Sequence, residues 1–192
     1  MGVIVSSIMT ININLNIKGA MIMLSESLTK ALSNQVNAEY GSAYLYLSMS
    51  ACADELGFKG AAHWLFAQAQ EEMAHGTNMY QYILERGVKP SFTEISAPKS
   101  DFSGLTQIFE MVLAHEQTVT KKINAIATMA MQEHDHACYQ FIMWYVNEQV
   151  EEESGVSDVV SKLQMIGDNT SLLLSLDKEL AARIFVNPFP NM

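Results

Sequence analysis

Residues 67–87 read AQAQEEMAHGTNMYQYILERG, and the spacing of residue types here decides the architecture. Together with the residues just before them they fall into two rows that repeat every seven positions: Phe58, Leu65, Glu72, Met79 and Ala61, Gln68, His75, Tyr82. Seven-residue rows are the stripes that a helix buries in a bundle. Gly87 supplies a stop signal. Glu72 and His75 stand three apart, so both face the same way on one helix and can hold a single ion. An isolated Glu-x-x-His arises often by chance. Its weight depends on what the rest of the chain places at the same depth.

Four long amphipathic segments surround this stretch or contain it. The first runs from near Ser25, an N-cap candidate, to about Leu56, where Gly57 stops it. The second runs from about Phe58 to Arg86, the third from about Leu105 to Gln132, and the fourth from about Ala137 to Ile166, ended by Gly167 and Asp168. A shorter fifth helix is expected from Ser171 to Arg183, before an NPFPN tail. The prolines stand at 90, 98, 188 and 190, leaving two long stretches free of helix breakers. Short links make the first and second helices, and the third and fourth, antiparallel neighbours. The link between second and third, about 17 residues, can run the length of a bundle. The expected fold is all-α, a four-helix bundle with one long crossover and a short fifth helix.

Similar rows recur on the other helices: Leu32, Glu39, Tyr46, Ala53 on the first and Phe109, Glu116, Ile123, Ala130 on the third. The fourth carries Tyr145, Glu152, Val159, Ile166 and Ile142, Gln149, Val156, Leu163. Each helix thus puts one glutamate near the middle of a mostly apolar row. A buried, unpaired carboxylate costs roughly several kcal/mol, and four at one depth repel one another. Too few lysines and arginines lie on these rows to neutralise them. Bound cations are the economical explanation, and carboxylates with a single imidazole and no thiolate suit Fe(II), Mn(II) or Zn(II). Spacing alone therefore marks Glu39, Glu72, His75, Glu116 and Glu152 as a metal constellation. On the same grounds Tyr46 and Gln149 read as packed, hydrogen-bonded core groups, and Glu71, Glu148 and Glu151 as a solvated face. His63, His115, His134 and His136 lack a partner at useful spacing and read as surface or structural.

Composition agrees. In 192 residues the formal net charge is −10, with a pI near 4.8, which disfavours nucleic acid and anionic membrane as partners and favours a cation. No uninterrupted apolar run approaches the roughly 18–20 residues of a membrane span. Cys52 and Cys138 form no clustered pattern and read as reduced thiols of a cytoplasmic protein. Residues 1–22 are rich in Ile, Asn and Ser and lack a basic start or clear cleavage site, so they read as a disordered extension or the product of an upstream start codon rather than a signal peptide. The working domain is then 23–185, and 186–192 a tail.

The segments NAEYGSAYLYLSMS (37–50), residues 67–87, LAHEQTVTKKIN (113–124) and FIMWYVNEQVEEE (141–153) resemble the signature stretches of bacterial non-haem ferritins. The likeness runs in order from about Leu24 to Arg183. It implies a ferroxidase that oxidises Fe(II) with O2 or peroxide and deposits ferric mineral in a cage of 24 like subunits. The first iron would be held by Glu39, Glu72 and His75, and the second by Glu72 as a bridge with Glu116 and Glu152. Gln149 would lie beside the pair and Tyr46 close to it, while Glu71, Glu148 and Glu151, with Glu152 shared, would form a third iron site. Bacterioferritin and rubrerythrin have a second Glu-x-x-His on the fourth helix, where this chain reads Gln149-Val-Glu-Glu152. That departure implies an asymmetric centre that passes its iron on, and no haem. A di-iron oxidase that stores nothing, a mini-ferritin and a purely structural bundle remain the competing readings.

Overall fold

The computed structural model describes residues 23–190, so the expectations for 1–22 and for the last two residues lie outside the described part. Five helices follow one another: α1 (Glu26–Glu55), α2 (Lys59–Glu85), α3 (Leu105–Gln132), α4 (His136–Ile166) and α5 (Thr170–Leu180). No strand occurs among the described residues. No helix among them is long and apolar enough to cross a membrane.

Local chemistry sets the ends. The Ser25 hydroxyl accepts from the Leu28 amide at 3.1 Å, satisfying one of the orphan donors of α1. The same hydroxyl and that of Ser27 donate to the Glu133 carboxylate, which ties the start of α1 to the end of α3. Gly57, at φ 89°, makes the tight turn from α1 into α2. Asp135 caps α4 through the Cys138 amide at 2.9 Å and takes a 2.7 Å ion pair from Arg86 at the end of α2. The third helix begins and ends where the sequence places it. The fifth is shorter than expected, closing at Leu180 instead of Arg183. Three-residue turns at Ala182 and Arg183, bonded to Glu179 and Leu180, end it and turn Arg183 away from the helix.

The α1–α2 and α3–α4 hairpins pack together, and the crossover between α2 and α3 rides along α1. Its backbone is pinned in order. The Ser91 amide donates to Ser33 at 3.2 Å, the Thr93 amide donates to Asn37 at 3.0 Å, and the Lys99 carbonyl accepts from Ser48 at 2.9 Å. This is the end-to-end link that joins two antiparallel hairpins.

α2 has no side chain of its own to cap its start. Asp177 of α5 supplies the cap instead, accepting from the Ala61 amide at 2.8 Å. Gly60 makes the approach possible, since a β-carbon there would stand 1.7 Å from the Asp177 carbonyl oxygen.

The core is in two parts. One cluster holds Met49, Leu65, Phe109, Val112, Val156 and Leu163; the other holds Leu32, Val36, Met79, Ile123, Ile142 and Tyr145. Every long helix contributes to both, and on each the change from one cluster to the other falls at its core glutamate.

Candidate metal centre

Between the two apolar clusters lies a polar layer built by one or two turns of each long helix. Gln35, Glu39, Gln68, Glu72, His75, Glu116, Gln149 and Glu152 form it, and none is more than 8 % exposed. The seven-residue rows produce this: a glutamate in the middle of each row lands at the same height as the others once the hairpins pack.

On the α1–α2 side, Glu39, Glu72 and His75 can each offer a ligand atom, with all three atoms within 4.8 Å of one another. His75 Nδ1 lies 3.5 Å from Glu72 Oε2. Gln35 Nε2 donates to Glu39 Oε1 at 2.9 Å, and Gln68 Nε2 to Glu72 Oε1 at 3.3 Å. Glu39 Oε2 and His75 Nε2 are buried without a hydrogen-bond partner. Buried polar atoms are ordinarily satisfied, so two orphans within one cluster of carboxylate and imidazole fit a cation. The His75 ring is held by edge contacts from Trp144 and Tyr145, at 5.5 and 5.8 Å between centroids. The Tyr145 hydroxyl donates to the His75 carbonyl at 3.1 Å.

On the α3–α4 side, Glu116 is gripped from two directions. Its Oε1 accepts from the Tyr46 hydroxyl, and its Oε2 from Gln149 Nε2 at 3.1 Å. Gln149 Nε2 also lies 3.2 Å from Thr120 Oγ1. Burial, and then the charges of Glu116 and Glu152, hold the Glu72 carboxyl well above the usual range. Burial and then the neighbouring Glu72 do the same to Glu39. Glu152 is pushed up to about 7 by burial and then by Glu116. Burial followed by Glu116 raises the Tyr46 phenol, keeping it a donor. Like charges crowded into a dry layer thus favour protons until cations replace them.

An outer acidic pocket adjoins the layer, lined by Trp64, Glu71, Glu148, Glu151, Glu152 and Arg183. Glu71, His75 and Glu148 form a second group whose ligand atoms can lie within 4.8 Å, so His75 borders both groups. Glu151 is exposed. Arg183 Nη2 bonds Glu71 Oε2 at 2.6 Å.

Residues 29–166 match the family model of the ferritin-like domain. The chain belongs to the ferritin family. It is 40% identical over 163 residues to the bacterial non-heme ferritin of Staphylococcus aureus, covering 85% of this chain and 98% of that one. The Staphylococcus haemolyticus bacterial non-heme ferritin is similar to the same extent. Among solved structures, the open pore ferritin of the hyperthermophilic archaeon Archaeoglobus fulgidus superposes with a TM-score of 0.83 at 45% identity, covering 84% of this chain and 98% of that one. A humanized archaeal ferritin gives 0.84 at 46%, covering 85% and 99%.

Within this ferritin-family chain the structure brings together all seven residues expected at the inner centre: Glu39, Tyr46, Glu72, His75, Glu116, Gln149 and Glu152. Of the outer trio, Glu71 and Glu148 converge with His75, whereas Glu151 lines the rim. Sequence reasoning missed three contributors. Gln35 and Gln68 stand four residues before Glu39 and Glu72, a helical spacing that could have singled them out. Arg183 arrives from beyond α5, and no spacing signals it. His115, read as surface or structural, is structural: it pairs with Ser42 at 2.7 Å and sets its ring edge-on to Tyr46.

Proposed function

We propose that this chain is an iron-storing ferroxidase that takes Fe(II) as substrate in the polar layer and passes ferric iron to a mineral held in a hollow homo-oligomer. The observation that carries the reading is the buried Glu39–Glu72–His75 group with its two orphaned ligand atoms, facing Glu116 and Glu152 in a chain of the ferritin family.

Glu39, Glu72 and His75 bind the first ferrous ion; Glu72, as the bridge, binds the second with Glu116 and Glu152. Four carboxylates balance the charge of two Fe(II) ions, which removes the repulsion of the metal-free layer. Side by side, two ferrous ions give up two electrons together, so O2 or peroxide is reduced without a one-electron step. Carboxylates favour the ferric product and can change between terminal and bridging modes. Gln149 and Tyr46 hold Glu116 in place while that change occurs. With Gln149 and Glu152 in place of a second Glu-x-x-His the centre is asymmetric, which suits release toward the store. Glu71, Glu148 and Glu151 serve as a third, outer iron site on that route.

Storage requires a shell, since one bundle encloses no room for mineral. Exposed apolar side chains such as Tyr44, Leu47, Phe66 and Leu84, with Leu172 and Leu174 on α5, support assembly of like subunits, 24 by analogy with the family. Free Cys52 and Cys138 suit the reducing cytoplasm.

The test is Glu72→Ala, which removes the shared ligand. Fast Fe(II) oxidation is lost while the assembly, measured by size-exclusion chromatography, stays intact; wild-type oxidation kinetics in this variant refute the assignment. Iron loading of the intact chain separates storage from a small oxidase: a large assembly takes up many irons per subunit, a small one at most two.

A further inference from the structure

The outer acidic pocket contains a cation of its own. Arg183 leaves the end of α5 and lies with its guanidinium carbon 4.3 Å from the centre of the Trp64 ring. Its Nη2 is 2.6 Å from Glu71 Oε2 and 4.0 Å from Glu152 Oε1. Its carbonyl oxygen accepts from His63 Nε2 at 2.9 Å. Aromatic face, carboxylate and backbone anchor together fix the side chain, which is 21 % exposed, at the mouth of the polar layer. Glu71 converges with His75 and Glu148, while Glu152 is buried in the polar layer and also lines the outer pocket. One carboxylate that an outer ion needs, Glu71, is therefore already engaged by the guanidinium, and Glu152 lies beside it.

We propose that Arg183 is a built-in competitor for the outer cation site, holding Glu71 and screening Glu152 so that the inner pair of sites fills first. The inference rests on the reading of the polar layer as an iron-oxidising centre and adds to it an order of filling. A guanidinium competes in two ways. It occupies lone pairs on Glu71 that a divalent ion requires, and its fixed positive charge lowers the attraction of the pocket for any second cation. A divalent ion wins only when its concentration or charge suffices to displace Arg183 onto Trp64 alone. No bond to carbon changes and no electron moves; the event is an exchange of one cation for another. The guanidinium bonds Glu71 at 2.6 Å and stands 4.0 Å from Glu152, so the outer set bears most of the competition and the group of Glu39, Glu72 and His75 lies beyond its ion pairs.

The experiment is a calorimetric titration of the purified full chain with Fe(II) under oxygen-free conditions, repeated with Zn(II), for wild type, Arg183→Gln and Arg183→Lys. In Arg183→Gln the weakest class of bound ion tightens about tenfold, the scale expected for one unit charge at a partly exposed site, while the tightest class stays within about twofold of wild type. Arg183→Lys keeps the charge and stays near wild type. Adding Glu71→Gln to Arg183→Gln removes the gain. An unchanged weakest class in Arg183→Gln overturns the proposal, and so do Gln and Lys variants that tighten alike, since that is the mark of a merely structural role. If the variants fail to fold, wild type still decides. Zn(II) is spectroscopically silent, so the tryptophan emission, to which Trp64 and Trp144 both contribute, must change as the weakest class fills if the guanidinium is displaced, and a flat response there overturns the proposal. Failure of the underlying ferroxidase reading looks different: the two tight classes are then absent from wild type itself.

Discussion

The Tyr46 hydroxyl on α1 donates to Oε1 of Glu116 on α3, a contact across the bundle between residues 70 apart in sequence. Gln149 takes the other oxygen of the same carboxylate. Glu116 is thus oriented from two helices before any ion arrives, and orientation in advance is what lowers the cost of reaching a reactive geometry. Tyr46→Phe removes one of the two grips without changing the volume of the core. Stopped-flow measurement should show Fe(II) oxidation slowed about tenfold, and chemical denaturation should show a loss of about 1–2 kcal/mol. Oxidation at the wild-type rate would mean that Tyr46 only packs.

Binding of cations should release protons, and more of them at lower pH. Glu39, Glu72 and Glu152 all have carboxyls held above their usual range. With Glu152 at about 7, its proton is mostly present at pH 6 and mostly gone at pH 8. Anaerobic addition of Fe(II) in weakly buffered solution should therefore release more protons per ion at pH 6 than at pH 8, with weaker binding at pH 6. Equal release at the two values would remove the protonated layer from the account.

The metal-free chain should be less stable at pH 8 than at pH 5. Glu152 has an ordinary value of 4.5 and a folded value of about 7, so the folded chain binds this proton more tightly than the unfolded one. Its stabilising contribution is full below 4.5 and lost as the pH rises through about 7, a difference of about 3 kcal/mol. Urea melts of chelator-treated protein across this window measure it. Glu152→Gln should flatten the dependence, and a saturating divalent ion should reverse the loss at pH 8.

Gly60→Ala tests how α5 is docked. The new methyl would meet the Asp177 carbonyl at 1.7 Å, and backbone cannot step aside as a flexible side chain can. The substitution should cost about 3 kcal/mol by forcing the helices apart and weakening the Asp177 cap on α2. Thermal melts read the loss. Asp177→Ala should cost about 1 kcal/mol, and if it costs as much as Gly60→Ala the cap rather than the close approach holds α5.

Much of this was legible in the chain itself, because a helix repeats and a bundle keeps repeats in register. Glu39, Glu72, Glu116 and Glu152 each interrupt a seven-residue row, so their meeting at one level follows from four local patterns. The crossover was legible too, since prolines 90 and 98 break any helix between two long proline-free stretches. Arg183 was not. Its position depends on the three-residue turns that end α5 at Leu180 and on the face of Trp64, more than a hundred residues earlier, and no periodicity links them. The cap that Asp177 lends to α2 was hidden for the same reason. Contacts between a short helix and a distant helix end leave no local trace.

The division of the apolar interior into two clusters, with the polar layer between them, has an evolutionary reading. Each cluster draws on all four long helices, so each half of the bundle can hold the helices in register without the other's chemistry. The middle level is then free to drift: an exchange of Gln149, which holds Glu116, alters the polar layer while the apolar halves keep the scaffold standing. A lineage built this way can diversify its catalysis at one height of the molecule and inherit its architecture from the two ends.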